Sequence, residues 1–411
     1  MSASATQREA PNISEPPPLR RALTVFVLYV MLVVSGYGLA HVHLLSNLRA
    51  YSLLRHFAEP NATGPLLRLE DHDVTTEDVT IPMPDKWVTP PFTPTPHLEP
   101  GGSLRARLYM PVGVAHPTGM VAIHGIHHLG MEEPRLMSFA RAVAGSGIAV
   151  LTPQIDSLAD YHVDGDSIPQ IGESAVWLDD RLGNHRVTVT GISFAGGLSL
   201  LAAMNPKYAS HIRALVLMGA YDDLARVSRF LATGIQELPN GTKEPHPAHD
   251  YGASVFVYAH LNQFFPAGDL TVAHDALREW LWEHPENAKP LIEKLSPASQ
   301  AEMNALLDRR IDEVRPEILN AIHTDETELA KISPRGQMEN LRVPVYILHG
   351  AEDNIIPPAE SLWLAQDIPH ADVREVLITG AFSHVDPQKD ASVWEELKLV
   401  NFIAGVLRAA N

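Results

Sequence analysis

Apolar and polar positions divide the chain into three regimes. After a polar, proline-rich start, residues 22–48 contain no Asp, Glu, Lys or Arg. From residue 73, short apolar runs alternate with amphipathic stretches. Residues 73–81 alternate like an edge strand, and Ser103 to Met110 place Leu104, Ala106, Leu108 and Met110 on one face of a second. The pattern 82–102 is rich in proline and predicts a loop. Buried strands are then expected at 120–123, 148–151, 187–190 and 215–218, with helices at 134–145, 167–182 and up to Met204. The alternation stops over 223–340, where helix-like stretches dominate without a clear buried strand. It resumes with strands at 343–348 and 373–378, a helix near 358–366 and a closing helix near 391–407. Continuous apolar strands separated by helices predict an α/β fold, with a mostly parallel, doubly wound sheet covered on both faces.

The charge-free run changes the picture at the N-terminus. Its most apolar part, Ala22 to Ala40, is 19 residues long, close to the length that crosses a bilayer core. An uncleaved signal anchor or transmembrane helix over 22–45 is expected, behind a disordered tail at 1–21 and ahead of a linker at 46–72. A cleaved signal peptide ending near Gly38-Leu39-Ala40 is the alternative. Arg8 adds to Arg20 and Arg21 on the N-terminal side and tips the orientation to N-in. The remainder would then lie outside the cytoplasm, in the periplasm or extracellular space.

Composition narrows the chemistry. The net charge is −18 and there is no cysteine. The acidic surface argues against nucleic acid as a partner. Disulfides, thiolate metal sites and a cysteine nucleophile are excluded.

The stretch 187–197 reads Val-Thr-Val-Thr-Gly-Ile-Ser-Phe-Ala-Gly-Gly. A β-branched run, a small-residue turn and a helical pattern place Ser193 at the apex of a sharp strand-to-helix turn, with Gly191 and Ala195 two residues to either side. This is the Gly-x-Ser-x-Gly elbow with alanine in the last slot. A serine hydroxyl needs a general base, and a histidine base needs a carboxylate to orient it. Asp353 follows the strand at 343–348, and His384 follows the strand at 373–378. Both therefore open on the same sheet edge as Ser193.

Four segments in this order resemble the α/β-hydrolase family over residues 73–409. They are His124-Gly125, Gly191 to Gly196, His349 to Pro357 and Phe382-Ser383-His384. The resemblance implies an α/β-hydrolase core at 73–222 and 341–411, with a helical cap inserted after the sixth strand at 223–340. It implies Ser193 as nucleophile, His384 as base and then acid, and Asp353 as orienting acid. The oxyanion hole would be the backbone N–H groups of Ile126 and Phe194. The cap accounts for the 160 residues between Ser193 and Asp353. Asp222 and Asp223 compete with Asp353, because some relatives carry the acid after the sixth strand.

No cofactor and no metal is implied. His124, His127 and His128 lie close together, but they follow a strand without the glutamate of a zinc motif. His127 or His128 is expected to line the acyl pocket. Glu132, Glu133 and Arg135 read as a solvated helix start. Tyr251, Phe256, Tyr258, Phe264, Phe265, Trp280 and Trp282 read as the core of the helical segment, with a substrate wall as the alternative.

The expected function is a serine hydrolase of the carboxylesterase or lipase kind, cleaving an ester, thioester or amide. Its partners would be a small-molecule ester or acyl substrate of lipophilic character and the membrane that holds its N-terminal helix. An acyltransferase using the same triad and a catalytically inactive membrane-anchored binding module are the alternatives.

Overall fold

Central strands rich in Val, Ile, Leu and Ala bury both faces, and their one-in, one-out alternation feeds two separate cores. Val121 and Ile123 enter one core while Met120 and Ala122 enter the other. Leu215 and Leu217 part from Val216 and Met218 in the same way. The structure is a computed structural model. It describes residues 31, 42–59, 62–64, 67, 71–88, 97–99, 101–183, 186–370, 372–382 and 392–410.

Eight strands form the sheet: β1 (Val74–Pro82), β2 (Ser103–Pro111), β3 (Gly119–Ile123), β4 (Ala149–Pro153), β5 (Val187–Ile192), β6 (Ile212–Met218), β7 (Val345–Gly350) and β8 (Val373–Thr379). Their order is β1-β2-β4-β3-β5-β6-β7-β8. The pairs β1–β2 and β2–β4 are antiparallel and the rest are parallel. Strand β5 sits between β3 and β6, so its C-terminal end opens where the chain order reverses, the usual ligand crevice of an open sheet.

Helices α1 (Pro134–Gly145), α2 (Ser167–Leu182) and α3 (Phe194–Met204) follow β3, β4 and β5. The helix α1 starts with Pro134 at its first position, and the Glu133 carboxylate accepts from the Leu136 N–H at 2.8 Å. Glu133 is therefore a half-buried N-cap, which corrects its reading as solvated, whereas Glu132 and Arg135 are exposed as expected. Helix α2 stops at Gly183, whose φ of 92° few other residues would adopt.

Between β6 and β7 lie α4 (Leu224–Thr233), α5 (Tyr251–Ala259), α6 (Leu270–Leu281), α7 (Pro285–Ile292), α8 (Pro297–Leu307), α9 (Ile311–Thr324) and α10 (Glu326–Lys331). They enclose their own apolar cluster, to which Phe256, Tyr258, Phe264 and Phe265 contribute. A short hairpin, Ile235–Glu237 with Lys243–Pro245, interrupts the helices. Ser296 and Pro297 start α8 as expected, but the Ser296 hydroxyl donates to Asp269 at 2.6 Å instead of capping the helix. Helices α11 (Ala359–Asp367) and α12 (Val393–Ala410) complete the chain.

The expected linker needs correction. Residues 42–58 are helical, with Ala50 and Leu53 buried beside α1. The reason is an apolar stripe, Ala50-Leu53-Leu54-Phe57, at the spacing of one helix face. Among the described residues no helix is long and apolar enough to cross a membrane. Most of the 22–45 stretch lies outside the described residues.

Candidate active site

Strand β5 and helix α3 meet at Ser193, which has φ 55° and ψ −131°. A serine pays steric strain at such a φ, so the surrounding packing must impose it. The Ser193 N–H donates to Met218 O at 2.7 Å, and Ser193 O accepts from the Gly196 N–H at 2.9 Å. A side chain at Gly191 would come within 2.6 Å of Gly196 Cα, which is why the strand can turn this tightly into the helix. Ser193 is 3% exposed, and among the described residues its Oγ has no hydrogen-bond partner. It heads α3, where the Phe194 N–H has no acceptor within the helix.

The loop after β3 closes over this apex. A Cβ at Gly125 would lie 3.0 Å from Ser193 Cβ, so glycine lets the chain pass without displacing the serine and carry Ile126 alongside. His124 fixes the loop. Its Nδ1 donates to Gly125 O at 2.7 Å, and its Nε2 accepts from the Ile155 N–H at 3.0 Å. Both ring nitrogens face backbone groups, so His124 is a brace rather than a metal ligand. Burial pushes its imidazole down to about 4.

That shift has a stability consequence with a defined sign. The unfolded chain takes up a proton near pH 6.5, whereas folded His124 resists until about pH 4. The contribution is present above pH 6.5 and is lost as pH falls from 6.5 to 4. Urea midpoints measured between pH 7 and pH 4 are expected to fall less steeply in His124→Asn than in wild type. Parallel curves would contradict the assignment.

His127 and His128 are half-buried and stack on each other at 4.7 Å, and His128 stacks on Trp282 at 6.0 Å. Burial lowers both imidazoles below the usual histidine range. Of the two, His127 borders a cavity of about 90 Å³ that also touches Ser193, Gly125, Ile126 and Met218. A larger cavity of about 650 Å³ lies between the 161–165 loop and helices α4, α5 and α10, with Phe194 and Phe256 on its wall. Among the aromatics expected in the helical segment, Phe256 borders this space.

Asp353 is fully buried after β7. Its Oδ1 accepts from the N–H groups of Ile355 at 2.9 Å and Ile356 at 3.1 Å. Its Oδ2 is 3.3 Å from His349 Nε2. The helical segment braces this loop from above: His246 Nε2 donates to Asp353 O at 2.8 Å, and the His249 N–H donates to Asn354 O at 2.8 Å.

The competing acids are engaged elsewhere. Arg226 binds Asp222 Oδ2 at 2.9 Å and Glu360 Oε1 at 2.6 Å. Asp223 caps α4 through Ala225 N–H and pairs with Arg335 at 2.7 Å. Glu360 Oε2 accepts the N–H groups of both Asp222 and Asp223. Burial, aided by the Glu360 charge, pushes the Asp222 carboxyl up to about 7. This cluster welds the start of the helical segment to α11.

His384 lies outside the described residues. Ala381 and Phe382, just before it, are buried in the same cluster as Leu136, Phe139 and Met218, which border the small cavity.

A family model described as the alpha/beta hydrolase fold matches residues 159–387. The chain belongs to this family. It is 27% identical over 214 residues to a 2-hydroxymuconate semialdehyde hydrolase from Pseudomonas putida, a match covering 52% of this chain and 62% of that protein. The chain thus spans less than two thirds of that relative. Among solved structures, an esterase domain from Rhodothermus marinus is similar with a TM-score of 0.41 and 14% identity, covering 82% of this chain and 97% of that one. A meta-cleavage product hydrolase from Pseudomonas fluorescens IP01 is similar with a TM-score of 0.38 and 15% identity, covering 75% and 96%.

The α/β-hydrolase architecture explains why the elbow, the His124 loop and the Asp353 loop share one edge: each follows a parallel strand of the same sheet. What sequence reasoning missed is Phe57, which also borders the small cavity. Its signal was the apolar stripe of residues 50–57, overshadowed by the longer charge-free run before it.

Proposed function

We propose that the chain is a serine hydrolase that cleaves a carboxylic ester through an acyl-enzyme. The observation that carries this reading is the strained, buried Ser193, whose Oγ has no partner among the described residues and borders a cavity beside the Gly125-Ile126 loop. Ser193 Oγ attacks the carbonyl carbon and His384 takes its proton. The carbonyl oxygen becomes an oxyanion held by the N–H groups of Phe194 and Ile126. The C–O bond to the leaving alcohol breaks as His384 returns the proton. Water, deprotonated by His384, then attacks the acyl carbon and frees Ser193.

Asp353 is the orienting acid in this reading, because it follows β7 on the strand-end edge that carries Ser193 and its carboxylate is fixed there by the Ile355 and Ile356 N–H groups. The segment 223–340 acts as a cap over the strand ends. The charge-free run 22–48 supports a membrane tether, with the catalytic domain outside the cytoplasm.

The test uses turnover of an aryl acetate. Asp353→Asn is expected to lower kcat by about 10³–10⁴-fold, while Asp222→Asn keeps kcat within a few-fold. Equal losses in both, or a larger loss in Asp222→Asn, would move the acid to Asp222. A second substrate class is suggested by the relative named for 2-hydroxymuconate semialdehyde. Faster turnover of that compound than of every ester tried would replace the ester assignment.

A further inference from the structure

The small cavity takes one wall from a helix that lies outside the region matched to the family. Phe57, on the helix over 42–58, precedes the matched residues 159–387 by about a hundred positions. Its ring meets Phe139 of α1 edge-on, with centroids 5.9 Å apart and planes at 83°. Ser138 Oγ donates to Phe57 O at 3.4 Å. The end of this helix is therefore fastened to α1 by both an aromatic contact and a hydrogen bond. Ile126, Leu136, Phe139, Ile192 and Met218 supply the rest of the apolar wall, and Ser193 lies at its edge. The paired Glu133 and Arg135, 2.7 Å apart, supply a charged border, and the half-exposed Arg135 marks its solvent side.

We infer that this cavity is the acyl chamber and that Phe57 closes it, restricting the substrate to short acyl groups. The inference rests on the reading of Ser193 as the nucleophile. The acyl group stays bonded to Ser193 Oγ through both half-reactions, while the alcohol leaves after the first. A small apolar space beside Oγ suits the group that stays, and a leaving alcohol needs a route out. Size sets the limit. A cavity of about 150 Å³ holds a benzene ring. One of about 90 Å³ therefore holds about four heavy atoms, which spans the carbon chains of acetyl to butyryl when the carbonyl oxygen sits on the Phe194 and Ile126 N–H groups. Longer chains collide with the Phe57–Phe139 pair.

The test measures kcat/KM of the full-length chain for p-nitrophenyl acetate, butyrate, hexanoate and octanoate. Wild type is expected to lose at least about 10-fold between butyrate and hexanoate, the scale on which one surplus methylene is rejected by a tight apolar pocket. Phe57→Ala is expected to raise the hexanoate-to-acetate ratio by about 10-fold or more. Phe57→Leu, which keeps apolar packing against Phe139, moves the ratio the same way by less. Phe57→Trp moves it the opposite way, toward acetate. Because each ratio is taken within one variant, the fraction of folded protein cancels. A wild type that takes octanoate as well as acetate overturns the inference, as does a ratio unchanged in both Phe57→Ala and Phe57→Leu. Fluorophosphonate labelling run in parallel separates the two levels. Labelled Ser193 with an unchanged ratio removes the chamber alone, whereas folded wild type with neither label nor turnover removes the nucleophile and the chamber together.

Discussion

Ser193→Ala is expected to lower kcat for a short-chain aryl ester by about 10⁴–10⁶-fold while leaving the fold intact, since a triad loses nearly all its advantage when the nucleophile goes. The fold should survive because Ser193 Oγ makes no hydrogen bond to any described residue, so its removal breaks no internal contact there. Alanine also has to adopt the same φ of 55°, which it tolerates no better than serine does. The strain at this position is held by Gly191, Gly196 and the Met218 carbonyl, and all three remain. Circular dichroism and a thermal melt matching wild type, together with the lost turnover, would assign the effect to chemistry. Retained turnover would take the nucleophile away from the elbow.

Arg226→Met is expected to be the most destabilising single change away from the site. Its guanidinium is 6% exposed and lies between Asp222 and Glu360, both at 0%. It also stacks 4.4 Å from the Trp363 ring. Removing it leaves two carboxylates facing each other in the interior, and breaking such a pair costs about 3–5 kcal/mol. At roughly 2–4 °C per kcal/mol, the melting temperature should drop by about 6–20 °C. Arg335→Met is the control. Arg335 also pairs with Asp223 but is 50% exposed, so its loss should cost no more than about 1 kcal/mol. Equal effects from the two variants would show that the cluster is not sealed from water.

Much of this architecture was legible in the sequence because local rules and tertiary packing agree. Helices 134–145 and 167–182 have ends marked by Pro134 and Gly183, and the structure keeps those bounds. Most buried strands were visible as unbroken apolar runs and β5 as a β-branched one, though β6 starts earlier than expected because Ile212 and Ala214 flank the partly exposed Arg213. The elbow was legible because its small residues serve one geometric purpose.

The parts that escaped depend on partners far apart in the chain. Arg226 and Glu360 are separated by 134 positions, and nothing local to either announces the other. Phe57 and Phe139 meet across 82 positions, and the apolar stripe carrying Phe57 follows a longer apolar run that suggested only a tether. The hairpin at Ile235–Glu237 and Lys243–Pro245 has three residues per strand, too few for alternation to show. Asp222 and Asp223 competed with Asp353 as strand-end acids, although the His349-Gly350 segment ahead of Asp353 already favoured it. Their bonds to Arg226, Arg335 and backbone N–H groups distinguish them, and those bonds are tertiary.

The most direct measurement is the site of covalent modification. The full-length chain is treated with a fluorophosphonate, digested, and mapped by mass spectrometry, beside Ser193→Ala and Asp353→Asn. The account predicts one adduct on the peptide carrying Ser193, absent in Ser193→Ala and formed far more slowly in Asp353→Asn. An adduct on another residue, or a folded wild type that stays unmodified, would contradict it.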